Sequence, residues 1–160
     1  MKTAARLLLT LALPGLIGCA GARPSAGPET APPPAKRLAA LEILRQREPD
    51  TKWEADSLVK ADLNQDGNED YAFKGIRGDL VVVGIVHGPV DDSCRHWILE
   101  FLGSGGTQDS LCSPEARLDF EMIEEEGQPS RPGINLHDDL CDSFHIFWDP
   151  EQKAYDWWRL

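Results

Sequence analysis

The sequence of 160 residues predicts an α+β fold, with one N-terminal helix packed on a mostly antiparallel β-sheet of six to seven strands. Leucines at positions 38, 41 and 44 recur at the spacing of an amphipathic helix, within a segment that runs from Lys36 to Arg47. From Trp53 onward the pattern changes to alternation and short apolar runs, which indicate strands. We therefore expect residues 37–160 to form a single globular domain.

Strand patterns of two kinds support the predicted sheet. The run Leu80–His87 is apolar and rich in β-branched residues, as in a central strand. The other predicted strands are 57–61, 71–76, 97–102, 118–122 and 144–148, followed by a hairpin loop at 149–153 and a return strand at 154–160. The segment 127–135 contains two prolines and two glycines, so we expect an exposed loop there.

Composition excludes several functional classes. The chain has 16 basic and 27 acidic residues, a net charge of -11, which argues against a nucleic-acid partner because phosphate binding needs a basic surface. The same balance argues against attachment to anionic lipid through a basic patch. Four cysteines without a paired CxxC pattern give no framework for structural zinc.

The first 18 residues have the organisation of a secretory signal. Lys2 and Arg6 precede an apolar run at 7–13, and Pro14 and Gly15 end that run. The run is shorter than the roughly 20 residues needed to span a bilayer. The alternative, a buried N-terminal helix, would not usually begin with two cations and end in Pro-Gly.

The residues that follow, Leu16-Ile17-Gly18-Cys19, resemble the lipobox of bacterial lipoproteins. The resemblance implies cleavage before Cys19, a diacylglycerol on its sulfur and acylation of the new amino terminus, and several acyl chains make a stable membrane anchor. Ala20, rather than Asp, follows the cysteine, which in Gram-negative lipoproteins implies sorting to the outer membrane. We therefore expect a lipid-anchored protein of the bacterial cell envelope, in the outer membrane and facing the periplasm.

Residues 19–36 are expected to be the lipidated cysteine and a tether. Ala20–Ala35 consists largely of Pro, Ala and Gly, cannot bury a core, and includes three consecutive prolines that favour an extended chain. A peptide ligand for a proline-binding module is the alternative role for this segment.

One acidic segment has the spacing of a calcium-binding loop. Asp62, Asn64 and Asp66 occupy alternate positions, Gly67 permits a sharp turn, and Asp70 ends the segment. Calcium prefers six to eight oxygen ligands, and three carboxylates within nine residues repel one another when no cation is present. The alternative is a polar hairpin turn, because Asn, Asp and Gly all favour turns.

The segment DLNQDGNED resembles the calcium loop of FG-GAP and VCBS repeats, in which the loop joins two strands. It differs from an EF-hand because position 12 is Phe73 rather than Glu. Those families form propellers from several copies, and this chain has one, so only the loop is carried over. The resemblance implies that the calcium ligands are Asp62, Asn64, Asp66, Asn68 (through its carbonyl) and Asp70.

Two further groups of residues remain open to interpretation. The segment His137–His145 holds a thiol, two imidazoles and three carboxylates, and could serve a small envelope hydrolase with Cys141 as nucleophile and His145 as base. After lipidation of Cys19 three cysteines remain, so at most one intrachain disulfide forms. We favour Cys112–Cys141, because both residues border predicted strands, while Cys94–Cys112 remains possible.

The sequence therefore predicts an outer-membrane-anchored lipoprotein whose small calcium-binding domain acts as a binding or structural module. We assign no catalytic residue. The alternatives are a hydrolase with its site near His137–His145 and an accessory subunit of an envelope complex. The membrane is contacted through the lipid anchor, and the protein or glycan partner is not specified by the sequence.

Overall fold

The computed structural model describes residues 34–105, 107–127 and 129–159, which belong to one compact unit. The expected signal at 1–18, the lipidation residue Cys19 and the expected tether up to residue 33 lie outside the described residues. Within the described ranges, no helix combines the length and the apolar character needed to cross a bilayer.

Helix α1 spans Pro34–Arg47 and therefore begins inside the last residues of the expected tether. A proline suits the first position of a helix, because its fixed φ is helical and its missing N–H has no intrahelical partner there. Leu41 and Leu44 are fully buried, whereas Leu38 of the predicted stripe is 59% exposed. The buried face of α1 is consequently narrower than the leucine spacing predicts.

Nine strands form two antiparallel sheets within the described residues. The five strands of sheet A are β1 (Lys52–Trp53), β2 (Val59–Ala61), β3 (Asp70–Arg77), β4 (Leu80–Val86) and β5 (His96–Leu102). The four strands of sheet B are β6 (Arg117–Ile123), β7 (Arg131–His137), β8 (Phe144–Asp149) and β9 (Ala154–Arg159). Strands β1 and β2 both pair with β3, at its C-terminal and N-terminal ends respectively, and the other neighbours follow in chain order.

The prediction of an α+β fold with one helix on a single sheet of six to seven strands is wrong, because the described residues are mostly β and their strands divide into two sheets. Strand β4 is buried on both faces and needs apolar cover on each. Val82 contacts the layer that contains α1, whereas Val81 and Val83 belong to the core shared with sheet B. The architecture is therefore three layers, namely α1, sheet A and sheet B.

Strand β7 occupies part of the segment that we expected to be an exposed loop, so that expectation is also wrong for residues 131–135. Pro132 and Gly133 suggested a loop, but β8 pairs with β7 only from Gly133 onward, so Pro132 lies beyond that pairing. A Cβ atom on Gly133 would lie 2.5 Å from Ile123 Cδ1 and 2.8 Å from the carbonyl oxygen of Ile146. Glycine is therefore required here by close packing rather than by a turn.

Candidate functional site

The acidic loop connects β2 to β3, and its first half folds over the backbone N–H groups of Asp66 and Gly67. Asp62 accepts hydrogen bonds from the N–H of Asp66 at 3.0 Å through Oδ1 and from the N–H of Gly67 at 2.9 Å through Oδ2. Oδ1 of Asn64 accepts a bond from the same N–H of Asp66, also at 3.0 Å. The turn depends on Gly67, whose φ is 90°. Side-chain oxygens of Asp62 and Asn64 thus converge on one backbone nitrogen.

Asp66 lies exposed beside these two residues. Its Oδ1 accepts bonds from the N–H (2.8 Å) and from Nδ2 (2.9 Å) of Asn68, and its Oδ2 accepts a bond from Nδ2 of Asn64 at 3.0 Å. Burial acts to raise the pKa of Asp66, but hydrogen bonds from Asn68 and Asn64 hold this pKa below its usual value. The carboxylate is therefore stabilised in its charged form.

Asp70 is placed differently from the other predicted ligands. It is fully buried, and it accepts bonds from the N–H groups of Leu63 (2.9 Å), Asn64 (3.2 Å) and Gly88 (3.0 Å). Burial raises its pKa to about 6, although the three N–H bonds act to lower it. In this structure Asp70 joins the base of the loop to the residue that follows His87.

The donor set is compatible with a hard cation. The structure brings together Asp62, Asn64 and Asp66. Their side-chain oxygens keep accepting capacity beyond their present hydrogen bonds, except for Oδ1 of Asp66, which already accepts two. Among the described residues, no group of three or more His, Cys, Asp or Glu side chains has the arrangement of a metal site. The predicted calcium set contains three carboxylates, and the structure does not bring them together in that arrangement, because Asp70 is bonded to backbone N–H groups at the base of the loop instead.

His87, which the sequence did not identify as a site residue, connects the loop to sheet B. Its Nδ1 lies 2.9 Å from Nδ2 of Asn64, and its Nε2 lies 2.8 Å from the hydroxyl of Tyr155. The imidazole also packs against Trp97, with ring centroids 4.0 Å apart, and against Trp148, at 5.1 Å. Burial lowers the pKa of His87 to about 4, so the ring is neutral at ordinary pH. We call the rings of His87, Trp97, Trp148 and Tyr155 the aromatic cluster.

A disulfide joins Cys112, before β6, to Cys141, between β7 and β8, with Cα atoms 5.9 Å apart. Beside it, Asp138 accepts bonds from four N–H groups, those of Cys112 and Ser113 at 2.6 and 2.7 Å and those of Leu140 and Cys141 at 3.0 Å each. Burial acts to raise the pKa of Asp138, but the four bonds hold it below its usual value. Cys94 is buried and, among the described cysteines, stands outside this bond.

The two histidines of the predicted hydrolase segment engage separate carboxylates. His137 lies 2.7 Å from Asp119 through Nε2 and 2.9 Å from Asp139 through Nδ1. His145 lies 3.0 Å from Glu121, and its ring stacks on that of Trp158 with centroids 4.0 Å apart. The sulfur of Cys141 is held in the disulfide, so it is not a free thiol that could act as the nucleophile.

Comparison with protein-family models, curated proteins and solved structures gave no match for this chain. Functional inference therefore depends on the residues and on their geometry alone.

Proposed function

We propose that this chain is a lipid-anchored outer-membrane protein whose β-rich domain is a binding module stabilised by calcium in the loop Asp62–Asp70. The observation that carries the proposal is the convergence of Asp62 and Asn64 on the N–H of Asp66. Oxygens at alternate positions gather on one side of the turn, as they do in loops that bind calcium through alternate residues.

The distribution of roles within the loop also supports the proposal. Asp70 links the loop base to the start of the β4–β5 connection, so the base is fixed before any ion binds. Asp62 and Asp66 keep their carboxylates near the surface, where an ion can reach them. Extracellular calcium sites function with Kd values of about 10⁻⁴–10⁻³ M, so a modest site is sufficient outside the cytosol.

Calcium binding is tested by thermal unfolding of the full chain in EDTA, calcium or magnesium. Binding to the folded state alone adds RT ln(1 + [L]/Kd) to stability, about 1.4 kcal/mol at ten times Kd, which raises Tm by several degrees. Magnesium should have a smaller effect, because it retains its waters and requires octahedral geometry.

Two alanine variants make the test specific for the loop. Asp66→Ala removes one candidate ligand and should abolish the gain in Tm, whereas Asp142→Ala, on an exposed residue outside the loop, should retain it. Superimposable melting curves in EDTA and in several millimolar calcium would reduce the segment 62–70 to an ordinary hairpin turn.

The anchor is tested by fractionation of cells that express the Cys19→Ser variant. Without the cysteine sulfur no diacylglycerol can be attached, so the variant should be soluble or retain its signal. A variant that sediments with membranes as the parent protein does would refute the lipoprotein assignment.

The alternative of an envelope hydrolase near His137–His145 receives less support. A nucleophile and base pair needs a free thiol at Cys141, and that sulfur forms the disulfide with Cys112. His137 and His145 are instead held by Asp119 and Glu121, respectively, on the same face of sheet B.

A further inference from the structure

Two clefts lie beside the calcium-type loop, at one end of the two sheets. One has a volume of about 350 Å³ and the other about 340 Å³, and both are bounded by Asn64 and Trp148. These volumes lie in the range of about 300–1,000 Å³ typical of small-molecule sites. The first cleft, which we call the loop cleft, is formed by the loop, the connection between β4 and β5, and the turn between β8 and β9.

Trp97 and Trp148 form an aromatic wall of the loop cleft, and the other two rings of the aromatic cluster hold them in place. Trp97 and Trp148 are both half-buried cleft residues, and their rings pack edge to face with centroids 5.2 Å apart. His87 and Tyr155 support both indoles, with centroids 4.0 to 5.8 Å from them. A wall fixed in this way loses little side-chain entropy when a ligand packs on it.

The acidic and basic side chains at the rim of the cleft differ in their bonding to other residues. The carboxylate of Asp91 accepts bonds from the N–H and the hydroxyl of Ser93, and Asp66 accepts bonds from Asn64 and Asn68. Arg95 and Lys153 are exposed cleft residues, and neither forms an ion pair with a described residue. Two cations that have no ion pair within the described part of the chain thus stand here, on a chain whose net charge is -11.

We propose that the loop cleft binds a carboxylate-bearing saccharide. The C–H groups on one face of a sugar ring pack well on an indole, and hydroxyl groups can donate hydrogen bonds to side-chain oxygens such as Oδ1 of Asn64. A carboxylate on the ring can accept charge-assisted hydrogen bonds from Arg95 and Lys153, whereas a neutral sugar offers these cations no charged acceptor. A purely aromatic ligand would leave the polar groups of the cleft unpaired.

This inference deepens the proposed function, because it assigns a ligand class to the binding module and relies on exposure to envelope glycans. Asn64 and Asp66 border the cleft. Calcium held by these residues would add a third cationic group to the cleft margin, so saccharide binding should be tighter in calcium than in EDTA.

The experiment is calorimetric titration of the full chain with trigalacturonate, and with maltotriose as a neutral trimer. We expect trigalacturonate to bind with a Kd below about 1 mM and maltotriose to bind at least tenfold more weakly. Binding should also change the tryptophan fluorescence, because two indoles line the cleft. Absence of trigalacturonate binding up to about 10 mM, or equal binding of both trimers, would overturn the proposal.

Variants separate the cleft from the rest of the surface. Arg95→Gln combined with Lys153→Gln should weaken trigalacturonate binding about tenfold or more. Lys52→Gln is the matched control, because Lys52 is also exposed and has no ion pair among the described residues. It lies far from the cleft, since in the sheet it stands opposite Ile76, near the end of β3 that is remote from the loop. A loss of binding in Lys52→Gln as large as in the double variant would refute the assignment to this cleft.

A further pair tests the aromatic wall. Trp148→Phe keeps an aromatic face and should retain more affinity than Trp148→Ala, with both variants compared at a temperature where melting curves show them folded. Equal affinity in both variants and in the parent protein would overturn the stacking role. If trigalacturonate binds in EDTA while calcium leaves Tm unchanged, this inference stands and the calcium proposal fails.

Discussion

The two acid-rich loops of this domain are organised around one buried aspartate each, but they are held in place in different ways. Asp70 accepts three backbone N–H groups at the base of the loop 62–70, and Asp138 accepts four beside the disulfide. Their pKa values shift in opposite directions, upward to about 6 for Asp70 and downward for Asp138. An aspartate that accepts backbone N–H groups can therefore be destabilised in its charged form, as at Asp70, or stabilised in it, as at Asp138.

Burial explains the difference between them. Asp70 is fully buried, and loss of water around its charge outweighs the three hydrogen bonds, whereas Asp138 remains 8% exposed and has one more donor. The disulfide holds the second loop covalently to the segment before β6. In the first loop, within the described residues, closure depends on hydrogen bonds, which is where an added cation has most to contribute.

Removing the disulfide should have the largest effect on stability. Its cysteines are 29 positions apart, and opening a loop of this length costs about 3–4 kcal/mol. Urea unfolding of Cys112→Ser/Cys141→Ser should show this loss and should not respond to dithiothreitol. Equal urea midpoints for the oxidised and reduced parent protein would show that the covalent link between the second loop and the segment before β6 does not stabilise the fold.

Asp138→Ala should be the next most damaging change. It leaves four N–H groups without their acceptor, so we expect a loss of about 2–3 kcal/mol in urea unfolding. Asp142→Ala is the matched control, because Asp142 is exposed and lies in the same loop, and its effect should remain within about 0.5 kcal/mol. Similar losses in both variants would contradict the special role of Asp138.

A separate expected effect is on the pH dependence of stability. Since the pKa of Asp138 is lowered on folding, its contribution is complete above its unfolded value of about 3.9 and is lost as pH falls through the folded pKa. Asp70 has a raised pKa, so the folded state takes up its proton first, and in EDTA its contribution grows as pH falls from about 6 towards about 4.

Unfolding free energies of the variants over this range separate the two contributions. Asp138→Asn should weaken the loss of stability below about pH 4, and Asp70→Asn in EDTA should remove the gain between about pH 6 and 4. Slopes of the same sign for both aspartates would show that the two loops do not differ electrostatically as described.

Local patterns in the sequence predicted most of the secondary structure. The apolar run of β4 and the leucine spacing of α1 are read from adjacent residues, and both elements occur near the predicted positions. Strand β1 has two residues, too few to show alternation, and β7 carries Pro132 and Gly133, which usually mark loops. Strands β1 and β7 were missed because the pattern of their own residues does not indicate the strand pairing that stabilises them.

The candidate site divides in the same way. The spacing of Asp62, Asn64 and Asp66 is local and was recognised from the sequence, whereas the link from Asn64 through His87 to Tyr155 joins positions that are far apart in the chain. Trp97 and Trp148 come from different sheets, so the loop cleft could not be anticipated before the sheets were assembled.

By itself the sequence determined the acidic balance, the helix, most of the strands, and the spacing of the oxygen-bearing loop, because each depends on composition or on neighbours along the chain. Only the tertiary structure decided that the strands form two sheets, that Asp70 and Asp138 have opposite electrostatic roles, and that Arg95 and Lys153 face one cleft beside two tryptophans. The reason is that pairing, burial and desolvation depend on residues brought together from distant parts of the chain.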